Sequence, residues 1–199
     1  MFQAVFHHLV QQVHQELGEV NGDKALEKVH LIDSSTISMC LTQHEWADFR
    51  ETKAGVKIHT RVVFREECTF PDKVIATPDR PAVATQLNAL MVVDEGALNV
   101  FDRGYYNFEK FDEYCEKKVR FCTCIKDNTI IEVIEECDID PSMSVLLETM
   151  VKLRKMKHPV LLIENEDSQG NLIRIYMNDA KRSAQVEHLD DLTYDLIII

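Results

Sequence analysis

Apolar residues recur at helical spacing in three stretches of the chain. Residues 2–17 carry such a stripe and are followed by Gly18, a second stripe covers residues 81–93, and a third follows Asn107. Side chains three or four positions apart share one face of a helix, so each stretch predicts an amphipathic helix. Pro81 suits a first helical turn and Asn107 suits a helix cap, which supports the last two predictions.

Short apolar or alternating runs between these stretches predict β-strands. Five runs have the length and the β-branched or aromatic content of strands: residues 28–33, 56–64, 73–77, 98–102 and 119–125. Pro71 and Asp72 predict a turn before the third run, and the polar residues 42–55 predict a loop. We expect the first three strands to form an antiparallel meander, followed by the order α-β-α-β.

The pattern changes after Asn128, where strand-like runs are joined by acidic turns. These runs are residues 130–134, 156–163 and 172–177. A helical stripe then runs from Ser183 towards Leu192. We predict an α/β fold in four segments: an N-terminal helical segment (1–27), a core of mixed sheet flanked by helices (28–127), a β-rich insertion after the fifth strand (128–182) and the start of a C-terminal helical region (183–199).

Composition favours a globular protein, because 45% of the 199 residues are hydrophobic and can bury a core. The longest apolar runs, residues 160–163 and 196–199, are far shorter than the roughly 20 residues that cross a bilayer. The N-terminus lacks the basic leader and unbroken apolar stretch of a secretory signal. We therefore expect a cytoplasmic protein without a membrane span, and the apolar residues 196–199 favour self-association.

The net charge argues against a general affinity for nucleic acids. The chain has 34 acidic and 22 basic residues, which give a net charge of −12. Proteins that hold DNA usually present a basic face, because contacts to phosphates dominate their affinity. A DNA-handling function of this chain must therefore depend on particular residues.

The cysteines give little support to a zinc site. They include no Cys-x-x-Cys pair. We interpret the cysteines as small, mostly buried residues that stay reduced in a cytosol. They are Cys40, Cys68, Cys115, Cys122, Cys124 and Cys137.

Two acids, Asp33 and Asp102, each end a predicted buried strand. A carboxylate among apolar neighbours is costly unless it is paired or binds a metal. If the first and fourth strands were adjacent, the two carboxylates would converge and could hold divalent cations for phosphoryl transfer. The alternative from the pattern alone is that both acids are helix caps or turn formers, which commonly follow strands.

Several motifs resemble the insertion-sequence-4 type DDE transposases in their order and spacing. Leu31-Ile-Asp-Ser-Ser-Thr36 looks like the strand of the first acid, and Gly55-Val-Lys-Ile-His59 is similar to a Gly-x-Lys-x-His pattern on the second strand. Asp102-Arg-Gly-Tyr105 resembles the motif of the second acid. Gln169-Gly-Asn171 and Met177-Asn-Asp179 look like parts of the family's insertion domain. The resemblance runs from about residue 29 to residue 192.

The resemblance implies a ribonuclease H-like fold with a β-rich insertion and a function in DNA transposition. Members of this family bind two Mg²⁺ (or Mn²⁺) ions, hydrolyse the phosphodiester at the ends of the element and join the 3′-hydroxyl to target DNA. By this resemblance the partners would be transposon ends and target DNA, with self-association or a full-length transposase as further partners. No membrane partner is implied.

The resemblance also assigns roles to six residues. Asp33 and Asp102 would be catalytic metal ligands, and Lys57, His59, Arg103 and Tyr105 (or Tyr106) would contact DNA. Two alternatives stay open. Lys57 and His59 could simply lie on an exposed strand face, and the tyrosines could pack against the helix that follows them.

The chain also departs from the family pattern. The family's catalytic Glu lies in a late Tyr-x-x-Arg-x-x-x-Glu pattern that the 199 residues do not contain, Cys124 stands where members often have Arg, and Ala82-Val83 replaces a usual His-Asp. We therefore expect a truncated catalytic domain with little strand transfer by itself. Three acids could replace the missing one, although they fit the solvated face of a helix better: Glu187, Asp190 and Asp191.

Three functions follow as alternatives. The first is an inactive or nearly inactive fragment of a transposase. The second is a non-catalytic remnant that binds or inhibits a full-length transposase. The third is an active metal-dependent nuclease that takes an improvised ligand from the C-terminal helix. A working third acid would separate the third alternative from the other two.

Overall fold

The computed structural model describes residues 5–6, 8–10, 12, 29–40, 48–50, 53–65, 68–78, 85–94, 96–124, 128–137, 139, 145–153, 155–166 and 169–179. The chain forms two compact units, Met1–Pro81 and Ala82–Ile199. Together they contain both helices and a large share of β-strand, which agrees with the predicted α/β class. The described residues between positions 5 and 12 are helical, as predicted, whereas the predicted helix from Ser183 towards Leu192 lies outside the described residues.

The first unit contains an antiparallel sheet. Its strands are β1 (Val29–Met39), β2 (Asp48–Arg50), β3 (Lys53–Arg65) and β4 (Cys68–Pro78). Strand β3 pairs with both β1 and β4, and β2 pairs with the start of β3. The predicted meander is therefore confirmed.

Two strand boundaries in this unit differ from the prediction. Strand β1 continues through Met39, six residues past Asp33, because residues 34–39 are fully paired with β3 even though most of them are exposed. The predicted loop at residues 42–55 was partly wrong, since it contains β2 and the start of β3. Polar composition does not prevent a strand when the backbone groups have a neighbouring strand to pair with.

Strand β4 contains a β-bulge where the sequence predicted a turn. The register of β3 and β4 shifts between Arg61 and Val62, so that Asp72 becomes the extra residue next to Pro71. A bulge accommodates a proline because one ladder hydrogen bond is already missing there. The Asp72 carboxylate also pairs with the Arg61 guanidinium, with Nε–Oδ1 and Nη2–Oδ2 distances of 2.8 and 2.6 Å. This two-bond geometry fixes the position of the bulge.

The described residues of the second unit form a mixed sheet, two α-helices and a 3-10 helix. Its elements are α1 (Leu87–Leu90), β5 (Leu98–Phe101), a 3-10 helix (Arg103–Tyr105), α2 (Phe108–Glu116), β6 (Arg120–Cys124), β7 (Ile131–Glu136), β8 (Leu147–Leu153), β9 (Val160–Glu166) and β10 (Leu172–Met177). The described strands follow the spatial order β5-β6-β10-β9-β8-β7. Strands β5 and β6 are parallel, and the other pairs are antiparallel.

An aromatic cluster forms the centre of the second unit. The ring of Phe121 on β6 stacks on Phe111 of α2 with centroids 5.0 Å apart. Phe101, the last residue of β5, lies 5.8 Å from Phe111 and 5.9 Å from Phe121. Tyr114 adds an edge contact to Phe121 at 6.2 Å. All four rings are buried, so the cluster fixes β5, β6 and α2 against one another.

Helix α1 is shorter than the predicted helix over residues 81–93. Met91 has extended backbone angles, and residues 91–94 are not helical. The reason is the buried side chain of Asn99 on β5. Its Oδ1 accepts from the backbone N–H of Val92 at 2.8 Å, and its Nδ2 donates to the carbonyls of Val92 at 3.0 Å and Arg120 at 3.1 Å. These bonds hold Val92 beside β5 and end the helix.

Residues 131–177 are rich in strands, as predicted, but the sequence pattern missed one of them. Strand β8 was not predicted, and the predicted run 156–163 is a turn followed by β9. Met156, which is buried, lies in that turn and donates its N–H to Leu153. This break could not be predicted from the residue pattern, because a buried turn residue is as apolar as a strand residue. Strand β10 has the predicted bounds.

The end of β10 is attached to β6 by side chains as well as by the backbone. Asn178 accepts from the N–H of Phe121 at 2.9 Å and donates to the carbonyl of Val119 at 2.9 Å. Asp179 forms an ion pair with Arg120 at 3.3 Å. The Asn-Asp pair noted in the sequence therefore closes the sheet between β6 and β10.

Asp112 attaches helix α2 to the turn between β8 and β9. Its carboxylate accepts from the backbone N–H groups of Lys157 and His158 and lies 2.9 Å from Nδ1 of His158. Burial acts to raise the pKa of Asp112, but the hydrogen bonds from His158 and Lys157 outweigh it and hold the pKa below its usual value. The ionised form is therefore the one that the fold stabilises.

Within the part of the chain that the structure describes, no helix is both long enough and apolar enough to cross a membrane.

Replacing Asn99 should destabilise the second unit. Asn99→Leu keeps the branched shape of the side chain but leaves backbone groups of Val92 and Arg120 without their buried partner, so we expect a loss of about 3 kcal/mol in the free energy of unfolding. Urea unfolding followed by circular dichroism measures this loss. Asn128→Ala, at an exposed asparagine of the same unit, is the control and should change little. An unchanged midpoint for Asn99→Leu would contradict the assigned role.

Asp112→Asn should destabilise the chain in a pH-dependent way. Because the pKa of Asp112 is lowered in the folded state, its contribution is fully present above the unfolded pKa near 4 and is lost as the pH falls through the folded value. We expect a loss of about 2 kcal/mol at pH 7 that shrinks below about pH 4. Urea unfolding from pH 3 to pH 8 tests this expectation, with the exposed Glu116→Gln on the same helix as control. A constant difference across that range would contradict it.

Candidate functional site

Asp33 lies where strand β1 passes from the interior to the surface. The four preceding residues, 29–32, are buried, Asp33 and Ser34 are half-buried, and residues 35–38 are exposed. The carboxylate is thus anchored by an apolar run and still reaches solvent. This is a placement at which a charged ligand group keeps part of its hydration and a bound cation can approach.

The register of the sheet places Lys57 and His59 on the face opposite to Asp33. Asp33 pairs with Thr60, whereas Lys57 pairs with Thr36, three positions further along β1. Paired residues share a face and successive residues alternate, so Lys57 and His59 point away from the Asp33 side. A DNA contact by Lys57 would therefore be made on the other face of this sheet.

His59 has an interior position. Its side chain is 0% exposed, and Nε2 lies 3.1 Å from the hydroxyl of Thr77 on the neighbouring strand β4. The interaction joins the middle of β3 to the end of β4. A direct contact between His59 and DNA would require the sheet to open, so in this structure the residue supports the fold.

Asp102 follows immediately after β5, whose four residues are all buried. It occupies the position before the 3-10 helix, with extended backbone angles and no capping bond from its side chain. Its backbone carbonyl, not its carboxylate, accepts from the N–H of Tyr105 at 3.2 Å. The carboxylate is therefore not used as a helix cap, which was the alternative that the sequence left open. Its Oδ1 atom is fully buried.

Gly104 lies against the carboxylate of Asp102. A Cβ atom at position 104 would be 3.1 Å from both carboxylate oxygens, which is closer than an ordinary van der Waals contact. Gly104 was given no role from the sequence, although it lies within the Asp102-Arg-Gly-Tyr105 motif, two residues after an acid.

Arg103 and Tyr105 project differently although they flank the same glycine. Arg103 is exposed, and no hydrogen bond or ion pair of its side chain occurs with the described residues. Tyr105 is 0% exposed and makes an edge contact with Phe101 at 6.3 Å. Of the two predicted DNA contacts, Arg103 is the one at the surface, and Tyr105 anchors the 3-10 helix in the core.

Tyr106 is half-buried and packs at the start of helix α2. Its ring lies 4.5 Å from that of Phe108. Burial raises the pKa of Tyr106, against a hydrogen bond to Thr129 that lowers it. The phenol therefore stays neutral at physiological pH, and its hydroxyl can both donate and accept a hydrogen bond.

The structure thus distributes the predicted residues over both units. Asp33, Lys57 and His59 belong to the first unit, and Asp102, Arg103 and Tyr105 form one short segment of the second. Among the described residues, no group of three or more His, Cys, Asp or Glu side chains is arranged to hold a metal ion. Convergence of Asp33 and Asp102 stays a prediction.

Five of the cysteines are described as free thiols: Cys40, Cys115, Cys122, Cys124 and Cys137. Cys122 is completely buried, and burial raises its pKa well above the usual value. Burial likewise raises the pKa of Cys115 to about 11. A thiol that stays protonated is a poor nucleophile and a poor metal ligand, so a packing role fits these two residues.

Comparisons with known proteins point to one family. Residues 24–187 match the model of the transposase DDE domain. The "Probable transposase for insertion sequence element IS5377" of Geobacillus stearothermophilus is 27% identical over 171 residues, which are 79% of this chain and 42% of that protein. The "Putative transposase y4zB" of Sinorhizobium fredii is 25% identical over 168 residues, which are 78% of this chain and 45% of that protein.

The chain spans less than half the length of these curated relatives. Among solved structures, a piggyBac transposase synaptic complex with hairpin DNA is similar with a TM-score of 0.44 and 10% identity, over 84% of this chain and 40% of that one. The family assignment rests on the domain match, which covers most of the 199 residues. This chain belongs to the transposase DDE domain family.

Proposed function

We propose that this chain is part of the catalytic domain of an insertion-sequence-4 type transposase, in which Asp33 and Asp102 are the first two metal-binding acids. The observation that carries the proposal is the position of Asp102. Its carboxylate follows a fully buried strand, has one completely buried oxygen and is not used to cap the helix after it. A half-buried carboxylate at this position suits a cation ligand, because the buried strand fixes its place and its oxygens are donors that Mg²⁺ prefers.

The chemistry of the two side chains fits Mg²⁺ or Mn²⁺. Both ions prefer oxygen ligands, and carboxylates are their usual protein donors. When bound, two such ions stabilise the charge that develops in phosphoryl transfer. The chain's contribution is to hold Asp33 at the surface end of an apolar run and Asp102 directly after β5. These two carboxylates are the candidate ligands among the described residues.

Arg103 is the proposed DNA contact of this site. It is exposed and adjacent to Asp102 in the chain, so its guanidinium can reach a phosphate near a cation held there. Lys57 is a second proposed contact, on the face of the β1–β3–β4 sheet opposite to Asp33. With a net charge of −12, the chain depends on such single contacts for any affinity for DNA.

The proposal extends to the fold. We assign a ribonuclease H-like core to residues 28–127 and an insertion to residues 128–182. The antiparallel meander of β1, β3 and β4 supports this assignment, as does the parallel pair β5 and β6 with helix α2 between them in sequence. The family's late Glu pattern does not occur within the 199 residues. We therefore propose that this polypeptide alone catalyses little strand transfer.

Metal binding is the decisive measurement. We expect calorimetry to show Mn²⁺ binding by the 199-residue chain and its loss in the Asp33→Ala, Asp102→Ala double variant. Glu132→Ala, Glu136→Ala removes the same charge from exposed positions of β7 and should bind like the wild type. If the wild type binds no Mn²⁺, the catalytic proposal fails, and a non-catalytic interaction with a full-length transposase becomes the better explanation.

DNA binding tests the role of Arg103. Arg103→Ala should weaken binding of a DNA duplex and lower the slope of log affinity against log salt concentration by about 1, because one phosphate contact is lost. Fluorescence anisotropy at several salt concentrations measures both quantities. Lys155→Ala, which removes one positive charge from another exposed position of the same unit, is the control. Equal effects of the two variants would show that only net charge matters.

A further inference from the structure

Gly104 occupies a backbone conformation that does not require glycine. Among the described residues, Gly170 is the glycine with a positive φ, at 80°, and Gly104 has no such angle. An alanine would therefore fit the backbone, and it would normally stabilise the chain, because glycine loses more conformational entropy on folding. The glycine must be explained by its surroundings.

The surroundings are the carboxylate of Asp102. Both oxygens would lie 3.1 Å from a Cβ atom at position 104, and the carboxyl carbon would lie 3.5 Å from it. Contacts of 3.1 Å force one of the groups to move by a few tenths of an ångström. The carboxylate has little room to do so, because its Oδ1 is fully buried and the side chain follows a rigid, buried strand.

We infer that Gly104 is a positioning residue. Because position 104 has no side chain, the Asp102 carboxylate has the space to keep the orientation in which it faces a bound cation. The cation part of this inference rests on the proposed function. The steric part does not, because it follows from the distances between position 104 and the two oxygens. A metal ligand has to be held within a few tenths of an ångström, so a small displacement is enough to weaken binding.

A double-variant cycle in the presence of a chelator tests the steric part. With Asp102 intact, Gly104→Ala should lower the Tm by about 4 °C, since overpacking outweighs the entropy gain. In the Asp102→Ala background the same substitution should raise the Tm by about 1–3 °C, because the crowded group is gone. Gly96→Ala is the matched control, since its Cβ would be 3.9 Å from the nearest atom, Asp94 Oδ1. It should not lower the Tm in either background.

Mn²⁺ calorimetry tests the cation part. We expect Gly104→Ala to raise the Kd for Mn²⁺ about 10-fold, which corresponds to about 1.4 kcal/mol, and Gly96→Ala to leave it unchanged. A raised Tm for Gly104→Ala with Asp102 intact would overturn the steric inference. An unchanged Kd in that variant would overturn the positioning role. If the wild type binds no Mn²⁺, the proposed function and the positioning role both fail, and the Tm cycle still decides the steric inference by itself.

Discussion

The packing of aromatic rings around Phe121 is the constraint on which the second unit depends. Phe121 on β6 contacts Phe101 of β5 and both Phe111 and Tyr114 of α2, all of which are buried. Such a cluster has few alternative packings, because large flat rings fill the space between the sheet and the helix. Phe101 immediately precedes Asp102 in the chain. Because Phe101 is held in this core, hydrophobic packing helps to determine where the candidate ligand Asp102 lies.

The sequence predicts strands well where one face of the strand is buried. It predicts the ends of strands and helices less well where hydrogen bonds to distant parts of the chain determine them. Strand β10 and helix α2 were found because their apolar periodicity and the Asn107 cap are local signals. The helix over residues 81–93 was drawn too long because its end depends on Asn99, which is distant from α1 in sequence. The exposed half of β1 was missed for a similar reason, since it is a strand because it pairs with β3, and this pairing leaves no local signal in its sequence.

The candidate site shows the same division. The two acids could be selected from sequence because each ends an apolar run, and the family match agrees with a transposase domain. Sequence alone could not separate residues that reach the surface from those that support it. Arg103 is exposed, whereas His59 and Tyr105 are buried. All three are polar or amphipathic residues within short motifs, so the sequence does not distinguish them. The strand register and the aromatic core determine which of these side chains are buried.

The pairing of β6 with β10 has a consequence for the order in which the chain folds. Residues 122–124 pair with residues 175–177, and the side chain of Asn178 adds hydrogen bonds to the backbone of Phe121 and Val119. About fifty residues separate the two partners, so this edge closes only after a large loop has been ordered. During synthesis, the edge of β6 that pairs with β10 therefore stays open until residues 172–177 have left the ribosome. In the segment between them, β7 carries exposed acidic side chains, which disfavour pairing of that strand with another chain.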